Sequence, residues 1–188
     1  MALVVLLRGV NVGGHRRFRP SQFAEKLSGF EVVNIGAAGT LVARRPGPRA
    51  QFRAALAALL PFETAMMLCD GSELLRATSE HPFGAEAEAP DVVRFVMVLA
   101  KAAPLRAPLP VRLPAEGDWL VRLVAVRGRY VFGMYRRRMK TISCLGQVDR
   151  LCGAPATTRN WNTMLAIQRV LRSGGGAKRS RVAAMDQR

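Results

Sequence analysis

Ala2-Leu3-Val4-Val5-Leu6-Leu7 is an almost unbroken aliphatic run of strand length, followed by Arg8 and the turn Gly9-Val10-Asn11-Val12-Gly13-Gly14. A strand that is apolar at every position has no solvent face, so the run predicts a central strand buried on both sides. His15-Arg16-Arg17-Phe18-Arg19 follows as a basic loop, and Pro20-Ser21 opens a helix with Phe23, Ala24 and Leu27 turned inward and Gly29 at its end. Residues 31–35 and 40–43 predict two strands joined as a hairpin across Gly36-Ala37-Ala38-Gly39. Residues 49–60 form an alanine-rich helical pattern with Phe52, Leu56 and Leu60 on one face, closed by Pro61, and residues 63–68 predict the next strand. The order β-α-β-β-α-β predicts a ferredoxin-like, or split βαβ, arrangement in which two helices back an antiparallel sheet.

The second half reads as a weaker copy without a residue-level repeat. A short helix near residues 71–79 precedes the breaker His81-Pro82-Phe83-Gly84 and an Ala/Glu linker to Pro90. This predicts a first subdomain over 1–80, a second, more irregular one over 81–172, and a flexible basic tail over 173–188. Residues 92–99 predict a strand, whereas Pro104, Pro108, Pro110 and Pro114 exclude a continuous helix across 103–117. Residues 119–126 and 130–135 predict a hairpin turning at Arg127-Gly128-Arg129, and a helix follows near 143–151. The expected class is α+β, two ferredoxin-like subdomains with antiparallel sheets backed by helices.

The chain has 188 residues, 49% hydrophobic, with a formal net charge of +16. A charge of that size favours polyanions at low salt whatever the biological role. Arginine outnumbers lysine 25 to 4, which suits bidentate phosphate or carboxylate recognition and equally follows from a GC-rich coding bias. The charge is uneven: residues 63–91 carry seven acidic residues against one arginine. No apolar run reaches membrane-spanning length, and the opening residues lead into Arg8 and a glycine turn, so the expected location is the cytoplasm and no membrane partner is expected. Cys69, Cys144 and Cys152 lack C-x-x-C spacing, which points to reduced, buried thiols rather than disulfides or a zinc site. Cys144 follows a basic run, but burial is the more ordinary reading of a small cysteine. The two histidines are far apart, no G-x-S-x-G elbow occurs, and the glycine turn matches neither the phosphate loop nor the dinucleotide fingerprint. No catalytic residue, metal site or cofactor is indicated by these patterns, and the oligomeric state is not encoded in them.

Ala154-Pro155-Ala156-Thr157-Thr158-Arg159-Asn160-Trp161-Asn162-Thr163 is the other unusual stretch. Thr157, Thr158, Asn160 and Asn162 suit the free N–H groups of a first helical turn, and Met164, Leu165, Ile167, Val170 and Leu171 continue at helical spacing to Gly174-Gly175-Gly176. A helix start here would set Arg159 beside N–H groups that favour an anion; capping, with Trp161 as a core anchor, is the simpler account. The candidate ligand-binding set is therefore Arg8, Gly9, Asn11, Gly13 and Gly14 with Thr157, Thr158, Arg159, Asn160 and Asn162, converging on a small phosphate- or carboxylate-bearing ligand. The alternative partner is nucleic acid, held by Arg136, Arg137, Arg138 and Lys140, with Tyr130, Phe132 and Tyr135 of the second hairpin as stacking rings.

Together, Leu6-Leu7-Arg8-Gly9-Val10-Asn11-Val12-Gly13-Gly14 and Ala156-Thr157-Thr158-Arg159-Asn160-Trp161-Asn162-Thr163 resemble the bacterial family of domain of unknown function 1697, over about residues 2–172. The resemblance implies two ferredoxin-like α/β plaits and supplies no function. Where relatives tend to carry Ser-Gly-Asn in the first hairpin this chain has Ala38-Gly39-Thr40, so a site using that asparagine would be altered here.

Overall fold

Strand β1 (Leu3–Leu7) is buried at all five positions. It pairs antiparallel with β3 (Thr40–Ala43) on one side and β4 (Met66–Asp70) on the other, and β2 (Val32–Asn34) extends the sheet beyond β3, in the order β2-β3-β1-β4. The computed structural model describes residues 1–11 and 18–173. Leu3, Val5 and Leu7 face the core formed with helices α1 (Pro20–Lys26) and α2 (Arg49–Leu59), meeting Phe23, Leu27, Phe52 and Leu56. Val4 and Leu6, on the opposite face, are also fully buried. Pro20 opens α1, where its missing N–H costs nothing. The expected β-α-β-β-α-β order is observed, with one shift: the strand expected over 63–68 is Met66–Asp70. Its register runs from Leu7 opposite Met66 to Leu3 opposite Asp70, while the preceding residues clamp the exit of β1. There the Thr64 hydroxyl donates to the Arg8 carbonyl (2.6 Å) and the Arg8 N–H donates to the Ala65 carbonyl (3.0 Å).

In the second sheet β5 (Val92–Leu99) lies between β8 (Tyr130–Arg136) and β9 (Ala156–Asn160), with β7 (Val121–Arg127) and the short β6 (Val111–Leu113) outside β8. All pairings are antiparallel. The run β7-β8-β5-β9 repeats the strand order of the first sheet, and the proline-rich connection supplies an edge strand where the first unit has α1. Helix α4 (Thr141–Leu151) packs Cys144 and Val148 against the Phe95, Met97 and Leu99 face. Residues 156–160, expected at a helix start, are a strand: the edge of β5 offers a complete partner, Leu99 opposite Ala156 through Phe95 opposite Asn160. Helix α5 (Trp161–Ser173) then begins without a connecting loop. The glycine run and the basic tail beyond Ser173 lie outside the described residues.

The chain divides into two compact units, Met1–Leu75 with the described part of Leu165–Arg188, and Arg76–Met164. The protein is thus α+β, with two antiparallel sheets. No helix among the described residues is long and apolar enough to cross a membrane.

The first sheet depends on one close approach. Gly39 has φ +66°, its carbonyl accepts the Leu7 N–H at 2.9 Å, and a Cβ there would lie 2.9 Å from the Leu7 Cβ. Gly39→Ala combines left-handed strain with overpacking and is expected to lower unfolding free energy by at least about 2 kcal/mol in urea titrations. A loss below about 0.5 kcal/mol would mean that the contact relaxes freely.

Candidate functional site

The first motif leaves the sheet where β1 ends. Arg8 is exposed, with its backbone held by the Thr64 and Ala65 bonds. Gly9 at φ 64° and Asn11 at φ 57° turn the chain away, a conformation both residue types tolerate. The Asn11 side-chain amide donates to the carbonyls of Phe18 (2.9 Å) and Ala37 (2.7 Å), and its oxygen accepts the Phe18 N–H (2.9 Å). Asn11 therefore fastens both backbone groups of Phe18 and the first hairpin, committing its amide to the fold. Gly13 and Gly14 lie outside the described residues.

Arg8 and Gly9 line a cleft of about 930 Å³ with Leu60, Phe62, Glu63 and Thr64. Asn11 lines a second, of about 480 Å³, with Phe18, Arg19, Gln22 and Lys26. Sequence reading missed Phe62, Glu63 and Thr64. The 61–64 turn carries no pattern beyond Pro61, and only the pairing of β4 with β1 brings it to Arg8.

The second motif alternates. Thr157 and Arg159 are buried on one face of β9, whereas Thr158 and Asn160 are exposed. Arg159 is only 6% exposed, and its Nη1 donates to the Thr157 hydroxyl (2.9 Å) and the Thr158 carbonyl (2.8 Å). Burial pushes its guanidinium down to about 10, which still leaves it charged at neutral pH. Asn160 is the helix cap: its side-chain oxygen accepts the Thr163 N–H (2.8 Å) and hydroxyl (2.9 Å). Trp161 is the expected core anchor, packed at 5.4 Å from Phe83 and 6.4 Å from Phe132. Asn160 and Asn162 line a small recess of about 140 Å³ with Arg94 and Arg137, where Arg94 also pairs with Glu88 at 3.4 Å. Arg8, Gly9 and Asn11 belong to the first unit and Thr157 to Asn162 to the second.

For the alternative partner, Tyr130 and Phe132 are fully buried, so neither offers a ring to a base, and Tyr135 packs against Phe95 at 6.0 Å. Arg136 donates two bonds to Asp91 (2.9 and 3.1 Å) and lies 4.6 Å over Trp119. The hydrogen bond from Arg136 chiefly holds the Asp91 carboxyl below its usual range. Arg137, Arg138 and Lys140 are exposed beside Met139 and Ile142, which are 93% and 77% exposed. All three cysteines are free and buried, and burial, then Asp149, pushes the Cys152 thiol up. Among the described residues no group of three or more His, Cys, Asp or Glu side chains could hold a metal ion.

The family model described as "Protein of unknown function (DUF1697)" matches residues 1–110, more than half of the chain, and the chain belongs to that family. No curated protein matches it. Among solved structures, it is similar to the conserved bacterial protein SP0830 from Streptococcus pneumoniae, with a TM-score of 0.59 and 15% identity over 90% of this chain and 98% of the other. That likeness is one of fold.

Arg159 gives this geometry a direct test. Arg159→Ala leaves the Thr157 hydroxyl and Thr158 carbonyl without this donor and opens a void, so a loss of about 2 to 3 kcal/mol is expected in urea unfolding. Arg159→Met fills the space and sheds the desolvation cost, and should recover at least half of that loss. Equal, negligible losses in both variants would identify Arg159 as a solvated side chain.

Proposed function

We propose that this member of the DUF1697 family binds a small organic anion in the cleft beside Arg8. One observation carries the reading: an exposed arginine, its backbone clamped by Thr64 and Ala65 at the end of a fully buried strand, stands at a 930 Å³ cleft of mixed polar and apolar lining. Pre-positioning a cation in this way lowers the ordering cost of binding, and the wall of Leu60, Phe62 and Met66 suits the apolar body of a ligand whose acidic group meets Arg8. Glu63 and Thr64 add acceptors for a hydroxyl or amino group on the same molecule. We read each unit as a ferredoxin-like plait, on the support of the shared strand order, and the protein as cytoplasmic.

A thermal-shift screen of phosphorylated and carboxylated metabolites tests this. A hit at a hundred times its dissociation constant contributes about 2.7 kcal/mol, or roughly 5 to 10 °C for a chain of this size. Arg8→Ala should abolish the shift while leaving the unliganded melting temperature nearly unchanged. Absence of any shift across the screen, or shifts that survive in Arg8→Ala, would defeat the proposal.

A second reading is favoured by one observation. Arg137, Arg138 and Lys140 are exposed at the start of α4, whose first turn contains no acidic residue, so three cations lie together at a helix start, as in phosphate contacts of nucleic-acid binders. Three such contacts give a log–log salt slope of about −3 on duplex DNA. Replacing all three residues by alanine should flatten it; an unchanged slope would remove this surface from consideration.

A further inference from the structure

The second cleft of the first unit carries a chemistry of its own. Arg19, Gln22, Phe23 and Lys26, which line it, recur at helical spacing from the cap of α1 to its last residue and so form one stripe of that helix. Phe23 is buried within the stripe, and the two cations stand at its ends, roughly two helical turns apart. Phe18, Leu59 and Pro61 supply the apolar part of the lining. Phe18 is half-buried and packed edge to face against Phe23 at 5.1 Å and Phe62 at 5.8 Å. Asn11 binds both its N–H and its carbonyl, so the ring is positioned by the fold itself. Leu59, in the last turn of α2, is 37% exposed and leaves apolar surface open beside it.

The charge in this cleft is one-sided. Arg19, Gln22 and Lys26 are exposed, and their side chains have no hydrogen-bond or ion-pair partner among the described residues. No acidic side chain among the described residues lines the cleft. Glu63 lines the neighbouring cleft instead, and Glu25 lies about 100° round α1 from Lys26.

We propose that this cleft is a binding site, separate from the one at Arg8, for a compact aromatic acid: one ring and one acidic group. The ring lies against Phe18, Leu59 and Pro61, and the long side chains of Arg19 and Lys26 converge on the acidic group from the two ends of the stripe. A volume of about 480 Å³ is ample for such a molecule and within the range of small-molecule sites. A ring-free anion would leave the apolar wall wet, and a neutral ring compound would leave both cations unanswered. The site does not require Arg8.

Amide chemical shifts of the isotope-labelled full chain at moderate salt, titrated with phenylpropionate, phenyl phosphate, phenylpropionamide, propionate and inorganic phosphate, test the assignment. Both aryl acids should shift the amides of Gln22, Lys26 and Leu59. Each should bind about tenfold or more tighter than the neutral amide and the ring-free anions. The tighter of the two identifies the acidic group. Arg19→Gln/Lys26→Gln should reduce both aryl acids to the level of the amide. Leu59→Ser should weaken them severalfold, with circular dichroism checking that it folds, and Phe18→Leu gives a second apolar variant that keeps most of the bulk. If ring-free anions bind as well as the aryl acids, or neither apolar variant weakens them, the binding is charge attraction alone and the proposal falls. If the aryl acids are insensitive to Arg19→Gln/Lys26→Gln and are lost in Arg8→Ala, they occupy the Arg8 cleft, and this site is wrong while the Arg8 reading stands. If no probe binds, the site is overturned, and the metabolite screen decides the Arg8 cleft separately.

Discussion

Burial of β1 on both faces is the constraint on which the first unit depends. Five aliphatic side chains removed from water contribute about 1.5 to 3 kcal/mol each, which is on the order of the whole net stability of a domain. Pairing on both edges satisfies the strand's backbone, and the helices carrying Phe23, Phe52 and Leu56 cover one face. Gly39 is required because Leu7 leaves no room for a Cβ, and the Thr64 loop is where it is because Met66 is in register with Leu7. Arg8 inherits its position from the same strand. Its exposure is the first break in an otherwise apolar run.

The two arginines of the sequence motifs live under opposite conditions. Arg8 is exposed beside a cleft. Arg159 is desolvated within its own strand neighbourhood, at a cost that pushes its guanidinium down to about 10. The Thr157 hydroxyl and Thr158 carbonyl offset part of that cost. The basic run near α4 divides in the same way: Arg136 is spent on Asp91 and Trp119, while Arg137, Arg138 and Lys140 face solvent.

Much of the secondary structure was legible because local chemistry dictated it. The apolar run Val92–Leu99, broken only by Arg94, the Pro20 helix start and the periodic Phe52 and Leu56 each follow from residues close together in the chain. The cap at Asn160 and the anchoring role of Trp161 were equally legible. Residues 156–160 were not, because threonine and asparagine suit a helix start as well as a strand, and the choice was made by the open edge of β5 some 60 residues away. The burial of Tyr130 and Phe132 had the same origin: alternation shows that they share a face, but not which face is covered.

The sequence by itself determined the α+β class, the order of the elements and the presence of two unusual motifs, since apolar periodicity, proline and glycine act through neighbours within a few residues. Only the tertiary structure decided that Asn11 fastens Phe18, that Phe62, Glu63 and Thr64 line one cleft with Arg8, and that Arg159 is buried. Those outcomes depend on strand register and on which surfaces lose their water, and both are set by contacts between residues distant in the chain.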